Sequence, residues 1–541
     1  MTMTGMMQST PLSIPHIFHR AEQQFGEKSI ISAAGERTSV RDWATRVRRL
    51  ATALDALDLS PGAAVATFAW NTRRHLELYY AVPCGGRVLH PLNIRLGEDQ
   101  LRYIVDAARD EAIFVDRSLL AQLWPLADEL PGVRHWVVMD DGSENVIPND
   151  SRIVEYEALI DAAEPFGGAF EIADENQAAG ICFTSGTTGF PKGVVYSHRS
   201  TVLHALMSLA AGTIGICERD RVLPIVPMFH ADAWGLPYSA LFAGADIVLP
   251  GSDLRPATLL DLIAEHRVTV ATGVPAIWAG MLPLLESADL SSLRGVFGGG
   301  SATPARLASE WLERVGVPLT NTWGMTELSP AGAVGGLRSI HDDETDDVRE
   351  LARSAQGTAV PLVELRVADV ESGAVLPNDG ESIGELQARG PTVASGYLGQ
   401  RPDEELTPDG WLRTGDIASI DGRGYIVIRD RLKDLIKSGG EWIPSLALEY
   451  AIASHPDVAE VAVIGRAHEI WGERPVAFVV TRGELDTAGI LEHLRPRVVK
   501  WWLPDEIIGI EVMPRTGTGK ISKPDLRARD DALTPRAASA S

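Results

Sequence analysis

Residues 184–193, which read TSGTTGFPKG, decide how the rest of the chain is interpreted. They follow a short apolar run at 178–183 and lead, through two valines and a tyrosine, into a segment of good helix formers. A loop this rich in Gly, Ser and Thr can present several backbone N–H groups and hydroxyls to one anion, and Lys192 adds a positive charge. The pattern predicts a phosphate-binding loop, with a flexible surface turn as the alternative.

Three better-known motifs are excluded by spacing or context. The nucleotide-hydrolase loop needs Gly-Lys-Ser/Thr, and the dinucleotide loop needs G-x-G-x-x-G before a helix; residues 184–193 contain neither. A literal G-x-S-x-G occurs at 380–384, but a turn precedes it and a strand-like run follows it. A serine nucleophile needs a strand before the motif and a helix after it, so we attribute this match to chance.

Size, charge and cysteine content narrow the class of protein. A chain of 541 residues is too long to fold around one compact core, so we expect more than one domain. A net charge of −24 argues against nucleic acid or an anionic membrane as the main partner. The N-terminus lacks the pattern of a secretory signal, and we expect no integral membrane segment. The 3 cysteines are not in metal-ligand spacing, which favours a reducing cytoplasm.

The loop at 184–193 resembles the phosphate loop of the adenylate-forming superfamily, which comprises acyl-CoA synthetases, peptide-synthetase adenylation domains and luciferase. Five further motifs follow in the superfamily's order. They are PMFH with a later Trp at 227–234, GGGSATP at 298–304, NTWGMTE at 321–327, WLRTGD at 411–416 with DRLKD at 430–434, and PRTGTGK at 514–520.

The resemblance implies a fold and a division into domains. The expected protein is α/β, with a large N-terminal domain, residues 1–432, built from two α/β subdomains and a small distorted β-barrel. A smaller, mobile α+β domain, residues 433–541, follows and carries Lys520. The family places its hinge at the position of Lys433.

The resemblance also implies the nucleotide and metal ligands, and their chemistry suits those roles. Glycines let backbone approach a flat ring, an aromatic can stack on adenine, and a carboxylate can accept ribose hydroxyls or bind Mg²⁺. Trp323 stands where the family usually has Tyr. The implied ATP- and AMP-binding residues are Thr184, Ser185, Gly186, Thr187, Thr188, Gly189, Lys192, Gly299, Gly300, Asn321, Thr322, Trp323, Gly324, Thr326, Asp416, Arg431 and Lys437, and the implied metal ligands are Thr184 and Glu327.

The catalytic, acyl-binding and CoA-binding residues are likewise implied by the resemblance. For His230 and Trp234 the alternative is a strand end followed by a core aromatic, and for Lys520 it is a solvated loop lysine. The implied catalytic residues are Lys520, His230, Glu327 and Lys433, the acyl-binding residues are His230, Trp234 and Met325, and the CoA-binding residues are Gly439, Gly440 and Trp442.

The implied function is an ATP-dependent acid:CoA ligase that converts an aliphatic carboxylate, a medium- to long-chain fatty acid, to an acyl-CoA through acyl-AMP. Its small molecules are the acid, ATP with Mg²⁺, and coenzyme A. A ligase for methylthiopropionate and a stand-alone enzyme that loads a carrier protein are alternatives. A luciferase-like oxygenase and a non-catalytic binding protein are weaker ones, and a homodimer is left open.

Overall fold

A computed structural model of the protein describes residues 2–184, 190–301, 303–400, 405–439, 441–515 and 521–533. By the density of their internal contacts, the residues form two compact units. One comprises Met1–Glu364 and Arg389–Leu412, and the other comprises Leu365–Ala388 and Arg413–Ser541. The expected boundary between residues 432 and 433 is the position of a hinge. A division by contact density does not test where a hinge lies, so this boundary stays a prediction.

A largely parallel sheet lies at the start of the first unit. Its central strands are continuous apolar runs because helices cover both faces; all five residues of Ala64–Phe68 are buried. The last two strands are antiparallel and flank the loop at 184–192. In the described residues the strand order is Ile153–Glu155, His135–Met139, Asp110–Asp116, Ala64–Phe68, Val88–Pro91, Ala178–Phe183 and Gly193–Ser197.

A second, wider sheet completes the first unit. Its central strands are parallel, so their carboxyl ends share one edge, where ligands bind in open α/β sheets. The motifs at 227–234, 298–304 and 321–327 follow or end three of these strands. The described strand order is Thr358–Ala359, Ala331–Val334, Leu319–Gly324, Gly295–Gly298, Val270–Gly273, Arg221–Pro224, Asp246–Leu249, Ser29–Ser32 and Arg37–Ser39.

Several helices begin at a side-chain cap. Ser39 accepts a hydrogen bond from Asp42 N at the start of Val40–Ala56, and Ser197 forms a capping box with Ser200. None of the helices in the described ranges is long and apolar enough to cross a membrane. The longer helices are Ile14–Gln24, Val40–Ala56, Arg73–Cys84, Glu98–Ala108, Tyr156–Asp161, His198–Leu209, Leu236–Ala243, Pro256–Glu265, Pro275–Met281, Ala305–Val315, Asp346–Ser354, Ser445–Ala453, Thr487–Leu494 and Lys523–Leu533.

The second unit contains two further sheets. One has four strands within residues 364–431, and the other packs against helices to form an α+β layer. The expected fold class is therefore confirmed. The described strand orders are Glu364–Ala368, Gly384–Arg389, Leu412–Ile420 and Ile426–Arg431 in one sheet, and Glu441–Ile443, Ile436–Ser438, Gly472–Thr481 and Val458–His468 in the other, with Glu506–Gly509 paired to Gly472–Thr481.

Candidate active site

The two ends of the predicted phosphate loop are joined to each other. The backbone N–H of Thr184 donates to the Lys192 carbonyl at 2.9 Å, and the Lys192 N–H donates to Thr184 Oγ1 at 3.3 Å. Near the same end, the ring of Phe190 stacks on Tyr103 with centroids 4.5 Å apart. These contacts close the base of the loop. The predicted ligands Ser185, Gly186, Thr187, Thr188 and Gly189 lie outside the described residues.

The side chain of Lys192 has two partners within the first unit. Its Nζ lies 2.7 Å from Glu405 Oε1 and 4.6 Å from the centre of the Tyr397 ring. Lys192 and Glu405 are both partly exposed, with side-chain exposures of 43% and 35%. An exposed pair of this kind contributes about 0–1 kcal/mol, so the charge of an incoming phosphate can displace Glu405.

Glu327 presents a buried carboxylate in the short helical turn Thr326–Leu328. Its Oε1 accepts a hydrogen bond from Tyr397 Oη at 2.6 Å, and the neighbouring Thr326 carbonyl accepts one from Tyr196 Oη at 2.7 Å. Burial, and then the Glu327 charge, raise the pKa of Tyr397 well above its ordinary value, so the phenol stays a donor. A hard, oriented carboxylate of this kind fits Mg²⁺.

The segment after His230 adopts an uncommon backbone. Ala231, Asp232, Ala233 and Trp234 have φ values of 44°, 53°, 48° and 57°, in the left-handed region. Non-glycine residues visit this region singly as a rule, at a cost of about 1–3 kcal/mol each. A run of four therefore needs strong anchoring, and it aims Trp234 differently from a residue on a regular strand or helix.

Asp232 supplies an anchor for this left-handed turn. Its buried Oδ1 accepts hydrogen bonds from Tyr79 Oη at 3.1 Å and Cys182 Sγ at 3.4 Å. Burial raises the pKa of Asp232 to about 6, while the two donors act in the opposite direction. Gly235 ends the turn at φ 71°, and a Cβ there would overlap the ring of His204, so glycine is required on both counts.

Trp234 lies against the glycines of the predicted adenine site. A Cβ on Gly299 would come within 3.0 Å of Trp234 Cη2 and would overlap Thr322 Oγ1. A Cβ on Gly300, where φ is 78°, would lie 3.9 Å from Trp234 Cζ2. The structure thus brings a predicted acyl-binding residue together with three predicted nucleotide-binding residues. The bare glycine backbone is the surface that a flat ring needs.

The motif at 321–327 holds its backbone in place through several close contacts. The Asn321 amide donates to the carbonyls of Arg353, Ser354 and Ala355 at 3.1–3.4 Å, so it caps the end of a helix. The Trp323 ring is buried against Gly332. A Cβ on Gly324 would overlap the Pro330 carbonyl, and that carbonyl also accepts from Met325 N–H at 3.0 Å. Contact of these four motif residues with the substrates stays a prediction.

The second unit contains the predicted ribose ligands. Asp416 and Arg431 are opposite each other on neighbouring antiparallel strands, and Arg431 Nε lies 2.6 Å from Asp416 Oδ1. The Asp416 side chain is 3% exposed, whereas that of Arg431 is 44% exposed. The carboxylate is therefore fixed by its partner, and this pair fits the oxygen acceptor and donor that a ribose needs.

The remaining predicted residues of the second unit lie on either side of a tight turn. Lys433 is in the short helix Leu432–Asp434, where burial lowers its pKa. Lys437 Nζ lies 4.9 Å above the ring of Trp442, on the facing strand. Gly439 has φ 60°, and a Cβ there would come within 2.9 Å of Trp501. Gly440 and Lys520 lie outside the described residues.

Sequence reasoning missed three residues that contact predicted site residues. They are Tyr196, Tyr397 and Glu405. Tyr397 stands in the run SGYLG at 395–399, and an aromatic between glycines was the one local signal. Tyr397 and its partner Glu327 are 70 positions apart in the sequence, so no local periodicity could indicate their contact.

Comparison with known proteins gives matches along nearly the whole chain. The model of the AMP-binding enzyme family matches residues 18–398, and that of the AMP-binding enzyme C-terminal domain matches residues 447–520. The structure of ATP-bound MatB from Rhodopseudomonas palustris is similar with a TM-score of 0.83 and 27% identity, over 96% of this chain and 99% of that one.

Three curated relatives align over almost their full lengths. A long-chain-fatty-acid–CoA ligase of Thermus thermophilus is 43% identical over 96% of this chain and 96% of its own. A medium-chain-fatty-acid–CoA ligase of Ectopseudomonas oleovorans is 40% identical over 97% of each chain. A 3-methylmercaptopropionyl-CoA ligase of Ruegeria lacuscaerulensis is 40% identical over 98% of this chain and 100% of its own.

The fold and the family matches define an adenylate-forming enzyme. The chain belongs to the AMP-binding enzyme family. The CoA ligases of this family use ATP, Mg²⁺ and coenzyme A.

Proposed function

We propose that the protein is an ATP-dependent acid:CoA ligase that activates a medium- to long-chain fatty acid. The observation that carries this proposal is that Lys192 and Glu327 contact the same residue, Tyr397, one at its ring and the other at its hydroxyl. A cation that can bind phosphate and a hard carboxylate that share one tyrosine suit a magnesium-bound polyphosphate. In the second unit, the pair Asp416 and Arg431 suits a ribose.

Two displacements account for the reaction. A carboxylate oxygen of the acid attacks the α-phosphorus of ATP, and pyrophosphate leaves; the CoA thiol then attacks the acyl carbonyl, its proton is released, and AMP leaves. Charge develops on phosphate oxygens in the first step and on the carbonyl oxygen in the second. Positively charged and N–H groups held in place before reaction stabilise such charge, so the protein needs no covalent nucleophile. Lys192 acts on phosphate, and Lys520 is proposed to act at the reacting centre.

The acid is proposed to be a fatty acid because two of the three relatives described above act on medium- or long-chain fatty acids. The apolar helix His198–Leu209, of which residues 203–209 are expected to line an aliphatic tunnel, supports the same choice. The third relative favours methylthiopropionate, and it is equally similar in sequence, so this short thioether acid is the second candidate.

A panel of acids tests the proposal. Purified protein is incubated with ATP, Mg²⁺ and CoA, and the thioester is detected by mass spectrometry for straight-chain fatty acids of increasing length, methylthiopropionate and aryl acids. We expect the highest kcat/KM for a medium- or long-chain fatty acid. A maximum at methylthiopropionate would mean that this acid, and not a fatty acid, is the substrate. Pyrophosphate release without any thioester would point to carrier loading instead.

Trp234 offers a second test of the acyl site. Trp234→Ala should change the profile of acid lengths more than the apparent affinity for ATP, because the indole is the bulky group of the left-handed turn. Tyr450→Phe, an exposed change in the second unit, is the control. If Trp234→Ala leaves the preference for acid length unchanged, Trp234 only packs in the core and does not bind the acyl group.

The setting of the enzyme is also part of the proposal. Cys84, Cys182 and Cys217 are free thiols, which supports a reducing cytoplasm. The resemblance to the superfamily is compatible with a homodimer. Sedimentation of the purified protein at several concentrations would show whether one forms.

A further inference from the structure

We infer that Tyr397 is a positioning residue for magnesium-bound ATP, whose hydroxyl orients Glu327 and whose ring supports Lys192. This inference rests on the proposed function, because it assumes that Glu327 faces Mg²⁺ and that Lys192 faces phosphate. It adds a residue from a segment that carries none of the six motifs, and it assigns that residue a measurable effect on Mg²⁺ dependence.

The hydroxyl of Tyr397 restrains the Glu327 carboxylate. The Oη–Oε1 distance of 2.6 Å is that of a charge-assisted hydrogen bond. Glu327 is only 6% exposed, so little water competes for the same oxygen. A carboxylate held through Oε1 cannot rotate freely, and hydrogen bonds behind a metal ligand usually change metal affinity about 10–100-fold.

The ring of Tyr397 supports the cation of the phosphate loop. Lys192 Nζ lies 4.6 Å from the ring centroid, within the range of a cation–π interaction. The same ammonium is paired with Glu405 at 2.7 Å. When phosphate replaces Glu405, the contact between Lys192 and the Tyr397 ring can remain. Tyr397 therefore restrains the position of the ammonium group during this exchange.

Backbone hydrogen bonds hold Tyr397 relative to both of its partners. Ala394 N–H donates to the Glu327 carbonyl at 2.7 Å, and Leu398 N–H donates to the Gly193 carbonyl at 2.8 Å. Tyr397 also packs against the buried cluster of Cys182, Val194 and Tyr196. The segment 394–398 is thus tied on one side to the predicted metal ligand and on the other to the end of the phosphate loop.

Tyr397→Phe separates the two contributions because it removes the hydroxyl and keeps the ring. ATP binding is measured by calorimetry without acid or CoA, at increasing Mg²⁺ concentration. We expect the Mg²⁺ concentration for half-maximal ATP affinity to rise about tenfold in Tyr397→Phe. In Tyr397→Leu, which also removes the ring, the ATP affinity at saturating Mg²⁺ should fall as well.

Tyr80→Phe is the matched control. Tyr80 is fully buried and donates to the Pro237 carbonyl at 3.0 Å, so the control also loses one hydrogen bond. Thermal unfolding of all variants checks that they fold. An unchanged Mg²⁺ requirement in Tyr397→Phe, or an equal change in Tyr80→Phe, would overturn the inference. Failure of the wild-type protein to bind ATP with Mg²⁺ would instead reject the proposed function.

Discussion

The carboxylate of Glu405 lies 2.7 Å from the ammonium of Lys192, the one cation of the phosphate loop 184–193. The two residues are 213 positions apart in the sequence. Glu405 therefore occupies, within the first unit, the partner position that a phosphate oxygen is expected to take. Under the proposed function, nucleotide binding exchanges one anion for another at this lysine.

Removal of the competing charge should favour the nucleotide. Glu405→Gln is expected to raise ATP affinity by up to about fivefold at low salt, since an exposed pair contributes less than about 1 kcal/mol. The gain should shrink at high ionic strength. Calorimetric titration of ATP at two salt concentrations measures it. Glu364→Gln, which removes an exposed partner of Arg389, is the control; weaker ATP binding by Glu405→Gln would show that Glu405 assists the nucleotide.

Asp416 should determine recognition of the ribose. Asp416→Ala removes an acceptor that Arg431 holds in place, and hydrogen bonds to a charged group contribute about 1.5–3 kcal/mol, so ATP affinity should fall about 10–100-fold. The variant should also lose the preference for ATP over its deoxyribose analogues. Competition binding measures both. Asp421→Ala, a turn aspartate that accepts from Tyr425 N–H at 2.8 Å, is the control. Preserved sugar discrimination in Asp416→Ala would contradict the assignment.

Asp232 should make stability depend on pH. Burial raises its pKa from 3.8 to about 6, so the folded state holds the proton more tightly than the unfolded state. The free energy of unfolding then falls as pH rises from about 4 to about 6, by a total near 3 kcal/mol at neutral pH. Asp232→Asn removes this penalty.

Urea unfolding of Asp232→Asn and the wild type between about pH 4 and pH 7 measures the effect. The difference in free energy of unfolding, variant minus wild type, should grow by about 3 kcal/mol over this range. The exposed Asp58→Asn, which removes a surface carboxylate, is the control. A difference for Asp232→Asn that does not change with pH would contradict the raised pKa of Asp232.

Lys520 and Lys433 should affect different half-reactions. Loss of a charge placed at a developing phosphoryl transition state typically costs about a hundredfold, so Lys520→Ala should slow acyl-AMP formation by about that factor. Thioester formation from supplied acyl-AMP should stay within a few-fold of the wild type. Lys433→Pro should do the reverse, because a fixed φ hinders rotation at the proposed hinge. Equal losses in both steps for Lys520→Ala would contradict the assignment of Lys520 to acyl-AMP formation.

Local sequence patterns predicted much of the fold. The apolar run at 178–183 forms the strand Ala178–Phe183, and the segment of good helix formers beyond Tyr196 forms the helix His198–Leu209. These segments succeed because burial against a sheet agrees with local propensity. The role of the glycines at 298–304 as an adenine site stays a prediction.

The turn at 231–235 could not be predicted from its residues. Ala, Asp and Trp do not favour positive φ, and only the buried contacts of Asp232 with Tyr79 and Cys182, distant in sequence, indicate why the turn persists. Tyr397 was missed for the same reason, since its partners come from tertiary structure. Charge pairing of Lys192 with Glu405 is also invisible locally, because both are ordinary surface residues.

The central claim is that the acid is activated as acyl-AMP. The most direct test is to follow where the carboxylate oxygen of the acid ends up. The acid is supplied with isotopically labelled carboxylate oxygen, together with ATP, Mg²⁺ and CoA, and the nucleotide and phosphate products are analysed by mass spectrometry. An acyl-AMP pathway predicts one labelled oxygen in AMP and none in pyrophosphate, because the oxygen that attacks the α-phosphorus stays with it. Label in orthophosphate, with ADP as the nucleotide product, would contradict the account.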